Sequence, residues 1–223
     1  MSIQRCTARL IARHRLCDRA IEVRLSRPEG FVFEPGQVIR IRIDGQERDY
    51  SLINGPDDPH LAICVAKVPG GRVSGALGHM ALGTEIAMEG PIGYFVFYPS
   101  SRTPIFVATG TGVAPFVAMA RAGVRGFVLL HGVRRAEDLY YAGELARAAA
   151  RHVACLTDPA PPPATIADGF AGRVTAFIEN RLTPDVYDFY LCGRADMIRD
   201  AMVLIDTRFG QSRVFIETFW DGR

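Results

Sequence analysis

The hydrophobic pattern of this chain changes period near Pro99-Ser100-Ser101-Arg102, and that change excludes a single uniform architecture. Upstream, apolar residues alternate with polar ones: Ile21, Val23 and Leu25; Ile39, Ile41 and Ile43 against Arg40, Arg42 and Asp44; Leu61, Ile63 and Val65. Period two marks strands with one buried face. Turn signals fall at Pro35-Gly36, Asp44-Gly45, Asn54-Gly55-Pro56 and Pro69-Gly70. Short strands spaced in this way predict a small antiparallel β-barrel, with one short helix starting near Ser74.

From Pro104 onward the pattern is βαβα. It predicts strands over 105–108, 127–130, 153–156 and 189–192, and helices over 115–122, 137–150, 174–180 and 195–208, with a Pro-rich loop over 158–169. The expected fold class is therefore two-domain: an N-terminal antiparallel β-barrel over 1–99, then an α/β doubly wound parallel sheet over 104–223 with ligand loops at its strand ends. At 223 residues and 48% hydrophobic composition, the chain can bury a core in each.

Charge and cysteine content narrow the function classes. A net charge of +2 argues against a polyanion partner such as nucleic acid. A modest basic excess at the N-terminal end (Arg5, Arg9, Arg13, Arg15, Arg19, Arg24, Arg27) fits either a solvated face or a docking surface for an acidic partner. The five cysteines (Cys6, Cys17, Cys64, Cys155, Cys192) make no C-x-x-C and suggest neither zinc nor an iron–sulfur cluster. Their odd number, with no apolar leader in MSIQRCTARL, predicts reduced thiols and a cytoplasmic protein. No apolar run approaches the roughly 20 residues of a membrane helix.

Four segments carry chemistry. In Arg48-Asp49-Tyr50-Ser51, an extended chain puts Arg48 and Tyr50 on one face and Asp49 on the other. A guanidinium can grip a pyrophosphate, an aromatic ring can lie on a flat heterocycle, and the adjacent hydroxyl can bond its edge. Gly71-Arg72-Val73-Ser74 combines a close-approach glycine with a hydroxyl at a helix start, as in a phosphate cradle. Thr109-Gly110-Thr111-Gly112-Val113-Ala114-Pro115 stands between a strand and a helix, where glycines let backbone N–H groups meet a pyrophosphate. Leu191-Cys192-Gly193 closes another parallel strand, and its Cys192 is expected to point into the crevice. Taken singly, these also fit a strand end with a buried Tyr, an ordinary helix cap, a plain glycine turn and a packed small thiol.

In this order the segments resemble the ferredoxin–NADP reductase superfamily of two-domain flavoproteins. Gly90-Pro91-Ile92-Gly93 is similar to its hinge, Gly132-Val133-Arg134 with Asp138-Leu139-Tyr140 to its second-strand region, and Glu217-Thr218-Phe219 to its acidic-then-aromatic terminus. The resemblance implies FAD as cofactor. Arg48 and Ser74 would hold its pyrophosphate, with N–H groups near Gly71, Arg72 and Val73. Tyr50 would pack on the isoalloxazine, and Ser51 would bond near N5. Thr109, Gly110, Thr111 and Gly112 would hold the nicotinamide dinucleotide. Cys192 and Gly193 would border the nicotinamide, with Glu217 as the nearby carboxylate. Ser51, Cys192 and Glu217 are thus the expected catalytic residues. Phe219 would cover the other flavin face. Because Trp220-Asp221-Gly222-Arg223 follow it, Trp220 is the alternative stacking ring.

The implied activity is transfer of hydride from NAD(P)H to FAD, then of single electrons to a ferredoxin or flavodoxin. With no cysteine cluster in this sequence, that carrier is expected to be a separate protein. Alternatives are a reductase of free flavin and an electron-transfer or nucleotide-sensing subunit. Arg134, Arg135 and Arg173 favour NADPH over NADH, whereas the carboxylate of Thr157-Asp158 would repel a 2′-phosphate; the balance tips to NADPH.

Overall fold

The computed structural model describes residues 3–158 and 161–219. Its contacts divide the chain into two compact units: Met1–Phe97 with Ala114–Ala122, and Tyr98–Val113 with Gly123–Arg223.

The first unit is built from β1 (Gln4–Cys17), β2 (Ala20–Ser26), β3 (Val38–Ile43), β4 (Gln46–Ser51), β5 (His60–Ala66), α1 (Arg72–His79) and β6 (Glu85–Ile92). All strand pairs are antiparallel, in the order β4-β3-β6-β1-β2-β5. The sheet curls until its ends meet at an isolated bridge, Leu52↔Ile63. Inward residues of every strand, among them Leu10, Val23, Ile39, Ile41, Ile63 and Ile86, form one core, which the α1 residues Val73 and Leu77 join. The β3–β4 hairpin follows from Asp44-Gly45, whose φ values of 48° and 72° suit a tight two-residue connection.

The second unit is a parallel sheet of β7 (Thr103–Thr109), β8 (Val128–Val133), β9 (Arg151–Leu156), β10 (Asp168–Ala171), β11 (Tyr187–Arg194) and β12 (Arg213–Phe219), in the order β10-β9-β8-β7-β11-β12. A 3-10 turn over 110–113 follows β7 and leads into α2 (Ala114–Arg121), which clusters with the first unit by its contacts. Helices α3 (Ala142–Ala148), α4 (Val174–Asn180) and α5 (Ala195–Arg208) complete the winding. One face packs Ile105, Val107, Leu130 and Phe189 against Phe177 of α4 and Ile198 and Ile205 of α5. The other carries Val133, Ala154 and Leu156.

Two expectations are corrected. The helix predicted over 137–150 is a 3-10 turn at Ala136–Asp138 and a shorter α3. Tyr141 between them sits at φ 57°, because Leu139 and Tyr140 turn inward and are buried. The loop over 158–169 gives way at its end to β10, whose four residues pair in parallel with β9. Among the described residues no helix is long and apolar enough to cross a membrane.

Candidate functional site

In the first unit the register of β4 sorts its side chains. Tyr50 pairs with Ile39 and Arg48 with Ile41, both core residues, whereas Asp49 pairs with Arg40 on the outer face. There Arg40 donates Nε and Nη2 to the Asp49 carboxylate at 2.7 and 2.9 Å. Arg48 and Tyr50 are thereby left together on the inner side of an edge strand. Arg48 is exposed and donates Nη1 to the Glu47 carbonyl at 2.6 Å. Tyr50 is half-buried against the core; burial pushes its hydroxyl up to about 12, with Arg48 pulling the other way, so it stays a neutral phenol.

Ser51 is 2% exposed, and its Oγ has no hydrogen-bond partner among the described residues. Leaving a buried hydroxyl unsatisfied costs about 1–3 kcal/mol, a strain that a ligand acceptor or donor would relieve. Helix α1 packs against β3 and β4 and brings the second segment to the first. Its N-cap is Gly71, and no side chain caps the first turn, so the N–H groups of Arg72, Val73 and Ser74 are open to an anion. A Cβ on Gly71 would lie 2.5 Å from the Oγ of the buried Ser74 and 3.0 Å from the Val68 carbonyl oxygen. The orphaned hydroxyl, the aromatic face, the guanidinium and the uncapped helix together fit a flavin nucleotide.

In the second unit the strand order reverses between β7 and β11, the place where open α/β sheets bind ligands beyond their carboxyl ends. Thr109–Gly112 follows β7 there and Cys192-Gly193 lies at the end of β11. The two segments touch. A Cβ on Gly112 would overlap the Cys192 carbonyl oxygen and lie 2.7 Å from Gly193 Cα; one on Gly193 would overlap Thr109 Oγ1. The Arg194 N–H donates to Thr109 Oγ1 at 3.1 Å. Gly110, at φ 54°, faces open space on its outer side.

Cys192 is aligned with Ala108 of β7 and Glu217 of β12. The expectation that its thiol opens into a crevice is not met: the side chain is fully buried. Burial, and secondarily the Glu217 carboxylate, push its pKa well above the usual thiol range, so Cys192 remains an uncharged thiol. Glu217 is half-buried. At the ends of β8 and β9, Arg135 Nε lies 3.1 Å and Arg134 Nε 3.8 Å from the Asp158 carboxylate, and Arg135 also lies 3.7 Å from Glu137. Arg173, at the N-cap of α4, is exposed and helps Arg194 hold Asp196 below the usual carboxylate range. The backbone of Phe219 ends β12; its side chain, and Trp220 with the three residues after it, lie outside the described residues.

Two groups of polar residues escape sequence reasoning. His131 of β8 is completely buried, with Nε2 3.2 Å from the Gly110 carbonyl oxygen. The only sequence signal was a lone His in the apolar run Val128-Leu129-Leu130-His131-Gly132-Val133. Asp188, 1% exposed, accepts from Arg213 Nε at 2.7 Å and from Ser100 Oγ at 2.5 Å. It anchors the polar segment that precedes β7.

Known proteins agree with this arrangement. The family described as "Oxidoreductase FAD-binding domain" matches residues 7–97, and "Oxidoreductase NAD-binding domain" matches residues 106–202. The ferredoxin–NAD(P)+ reductase component of the naphthalene 1,2-dioxygenase system of Pseudomonas putida is 32% identical over 216 residues, covering 92% of this chain and 65% of that protein. The crystal structure of the Amycolatopsis cytochrome P450 reductase GcoB superposes with a TM-score of 0.83 at 31% identity, over 97% of this chain and 70% of that one. A ferredoxin NADP+ reductase from Neisseria gonorrhoeae, solved with FAD and NADP, shares the fold at a TM-score of 0.83 and 21% identity, over 97% and 99% of the two chains. The chain thus belongs to the ferredoxin–NADP reductase superfamily and carries an FAD-binding and an NAD(P)-binding domain. It spans 65%, 57% and 56% of the lengths of the first three curated relatives it matches.

Proposed function

We propose that this chain is an FAD-dependent reductase that takes hydride from NAD(P)H and passes electrons singly to a separate carrier protein of the ferredoxin or flavodoxin type. The observation that carries the reading is Ser51: a buried hydroxyl without a partner among the described residues, next in sequence to a half-exposed aromatic ring and three residues from an exposed guanidinium. FAD, when bound, supplies the exchange between a two-electron donor and one-electron acceptors. Arg48 and the first-turn N–H groups of α1 hold its pyrophosphate, Tyr50 lies on its ring, and Ser51 bonds the ring edge. Thr109–Gly112 holds the dinucleotide pyrophosphate. The end of β11 at Gly193 borders the nicotinamide, with the Cys192 thiol buried and uncharged beneath it, and Glu217 is the nearby carboxylate. Phe219 or Trp220 covers the flavin. From five cysteines in no disulfide we infer a reducing compartment, the cytoplasm.

For the nucleotide, the arginine count favours NADPH, but Asp158 lies against both Arg134 and Arg135. A carboxylate there offsets their charge and offers an acceptor to a free 2′-hydroxyl. We therefore infer NADH as the better donor. Asp158→Ser should raise the NADPH-to-NADH ratio of kcat/KM about tenfold, the worth of about 1.4 kcal/mol; an unchanged ratio removes Asp158 from the choice.

The experiment for the activity is a visible spectrum of the purified protein, followed anaerobically with NADH and NADPH and then with added ferredoxin. A yellow protein that bleaches with nucleotide and reduces ferredoxin supports the reading. Faster reduction of free flavin than of any carrier protein favours a flavin reductase. A protein that stays colourless after exposure to FAD refutes the flavin assignment.

A further inference from the structure

We propose that His131 is a positioning residue for nucleotide binding: its imidazole N–H holds the Gly110 carbonyl inward and thereby turns the Thr111 N–H outward, toward a dinucleotide pyrophosphate. The proposal rests on the reading of Thr109–Gly112 as the nucleotide loop.

The argument begins with a misplaced polar group. On β8, Leu129, His131 and Val133 share the face opposite Leu130, and all three are buried. An aliphatic side chain would fill the middle position without cost. The imidazole is instead only half satisfied. Nε2 lies 3.2 Å from the Gly110 carbonyl oxygen, and Nδ1 has no partner among the described residues. A carbonyl can only accept, so Nε2 carries the proton and Nδ1 the lone pair. The ring stacks on that of His152 in β9, with centroids 6.2 Å apart and planes 15° from parallel, and both His152 nitrogens also lack partners among the described residues. A core that tolerates three unpartnered ring nitrogens is retaining the single bond that one of these rings makes, and that bond goes to the loop.

The effect of the bond follows from peptide geometry. In a trans peptide the carbonyl of one residue and the N–H of the next point in opposite directions. With the Gly110 oxygen drawn down to β8, the Thr111 N–H must point away from the sheet. It is one of the first N–H groups of the 110–113 turn, which have no partner within the turn itself. Beyond Gly110 there is room: apart from its chain neighbours, no heavy atom of the described residues lies within 4 Å of where its Cβ would be. The 3-10 turn over 110–113 engages this carbonyl, and the His131 bond adds a second restraint on a glycine that needs one. At φ 54° Gly110 has access to both hands of backbone conformation, and rotation of its peptide would present the carbonyl oxygen, not the N–H, to an anion. His131 removes that alternative before the nucleotide arrives, so the binding-competent fraction is high from the start.

Two substitutions separate this role from simple packing. His131→Phe keeps a ring against His152 and removes the donor; His131→Gln places an amide N–H at a similar reach. Affinity for ADP-ribose, which has the pyrophosphate but no nicotinamide, is measured beside KM and kcat for NADH and flavin content. His131→Phe should bind ADP-ribose about tenfold more weakly and raise KM about as much, with kcat and flavin content near those of the parent. His131→Gln should recover most of the loss. Parent-like ADP-ribose binding by His131→Phe overturns the proposal, as does a Gln variant no better than Phe. In the unaltered protein, the Thr111 amide resonance should shift when ADP-ribose binds; an unmoved signal overturns the proposal without any variant. A parent protein that binds neither ADP-ribose nor NADH has a different meaning, because it refutes the nucleotide loop itself.

Discussion

Acidification from pH 7.5 to 5.5 should cost this protein about 3 kcal/mol of stability through two side chains, His131 and His152. Burial, then the neighbouring His152, pushes the His131 imidazole down to about 3, against the weaker upward pull of the Gly110 carbonyl; burial pushes His152 down to about 4. Their ordinary value is 6.5. Both folded values are depressed, so below 6.5 the unfolded chain binds protons that the folded chain refuses. The stabilisation is complete above that pH and is lost as pH falls toward the folded values. At pH 5.5 each unfolded imidazole is about ten-to-one protonated, which favours the unfolded state by RT ln 11, or about 1.4 kcal/mol per ring. Against a typical total of about 5–15 kcal/mol, the sum is large. Asp188 does not confuse the window: Arg213 above all holds it below the usual carboxylate range, so it is charged throughout. The assay is urea unfolding at the two pH values, in the parent and in His152→Phe, at fixed flavin concentration. The variant should show about half the parent's pH dependence. An identical pH dependence in both would falsify the argument, since it would mean that His152 is charged or hydrated in the folded protein.

Other outcomes follow from the two half-sites. Arg48→Ala should weaken flavin retention by about ten- to a hundredfold, through loss of a charge-assisted contact, and full flavin occupancy after gel filtration rules out Arg48 as a pyrophosphate ligand. Gly112→Ala forces a methyl into the Cys192 carbonyl and should destabilise the second unit by about 1–3 kcal/mol while abolishing tight nucleotide binding; a parent-like melting point means the loop yields freely. Glu217→Ala should slow anaerobic flavin reduction at least about tenfold with the flavin still bound, the scale of a single positioned acid–base or electrostatic group, and an equal rate excludes a catalytic part for this carboxylate.

Local chemistry was readable from the sequence where one segment decides its own conformation. Asp44-Gly45 carries positive φ at both positions and makes the β3–β4 hairpin unaided, which fixes the opposite faces of Arg48 and Asp49. The limits of α4 and α5 match the periodic pattern for the same reason. The segment around Tyr141 was not readable. Its residues favour a continuous helix, and only the inward burial of Leu139 and Tyr140 breaks it. β10 has no apolar run of its own and exists through its pairing with β9. The burial of Cys192 depends on what packs over the face of the sheet, which its own three-residue segment does not encode. The contact between His131 and Gly110 joins residues 21 apart, and no local period encodes it.

The close approach of Gly112 to the end of β11 divides the nucleotide half-site into parts that can evolve at different rates. Where backbone meets backbone, one added methyl has nowhere to go, and the loop and strand end are bound to keep their glycines together or lose them together. At the rim, Arg134, Arg135 and Asp158 are exposed side chains whose ion pairs are worth little to the fold. A substitution there leaves untouched the loop proposed to grip the pyrophosphate. On the proposed reading, coenzyme preference is therefore the property of this protein most open to engineering, with a change of donor sought by single steps at the rim while the loop beneath remains as it is.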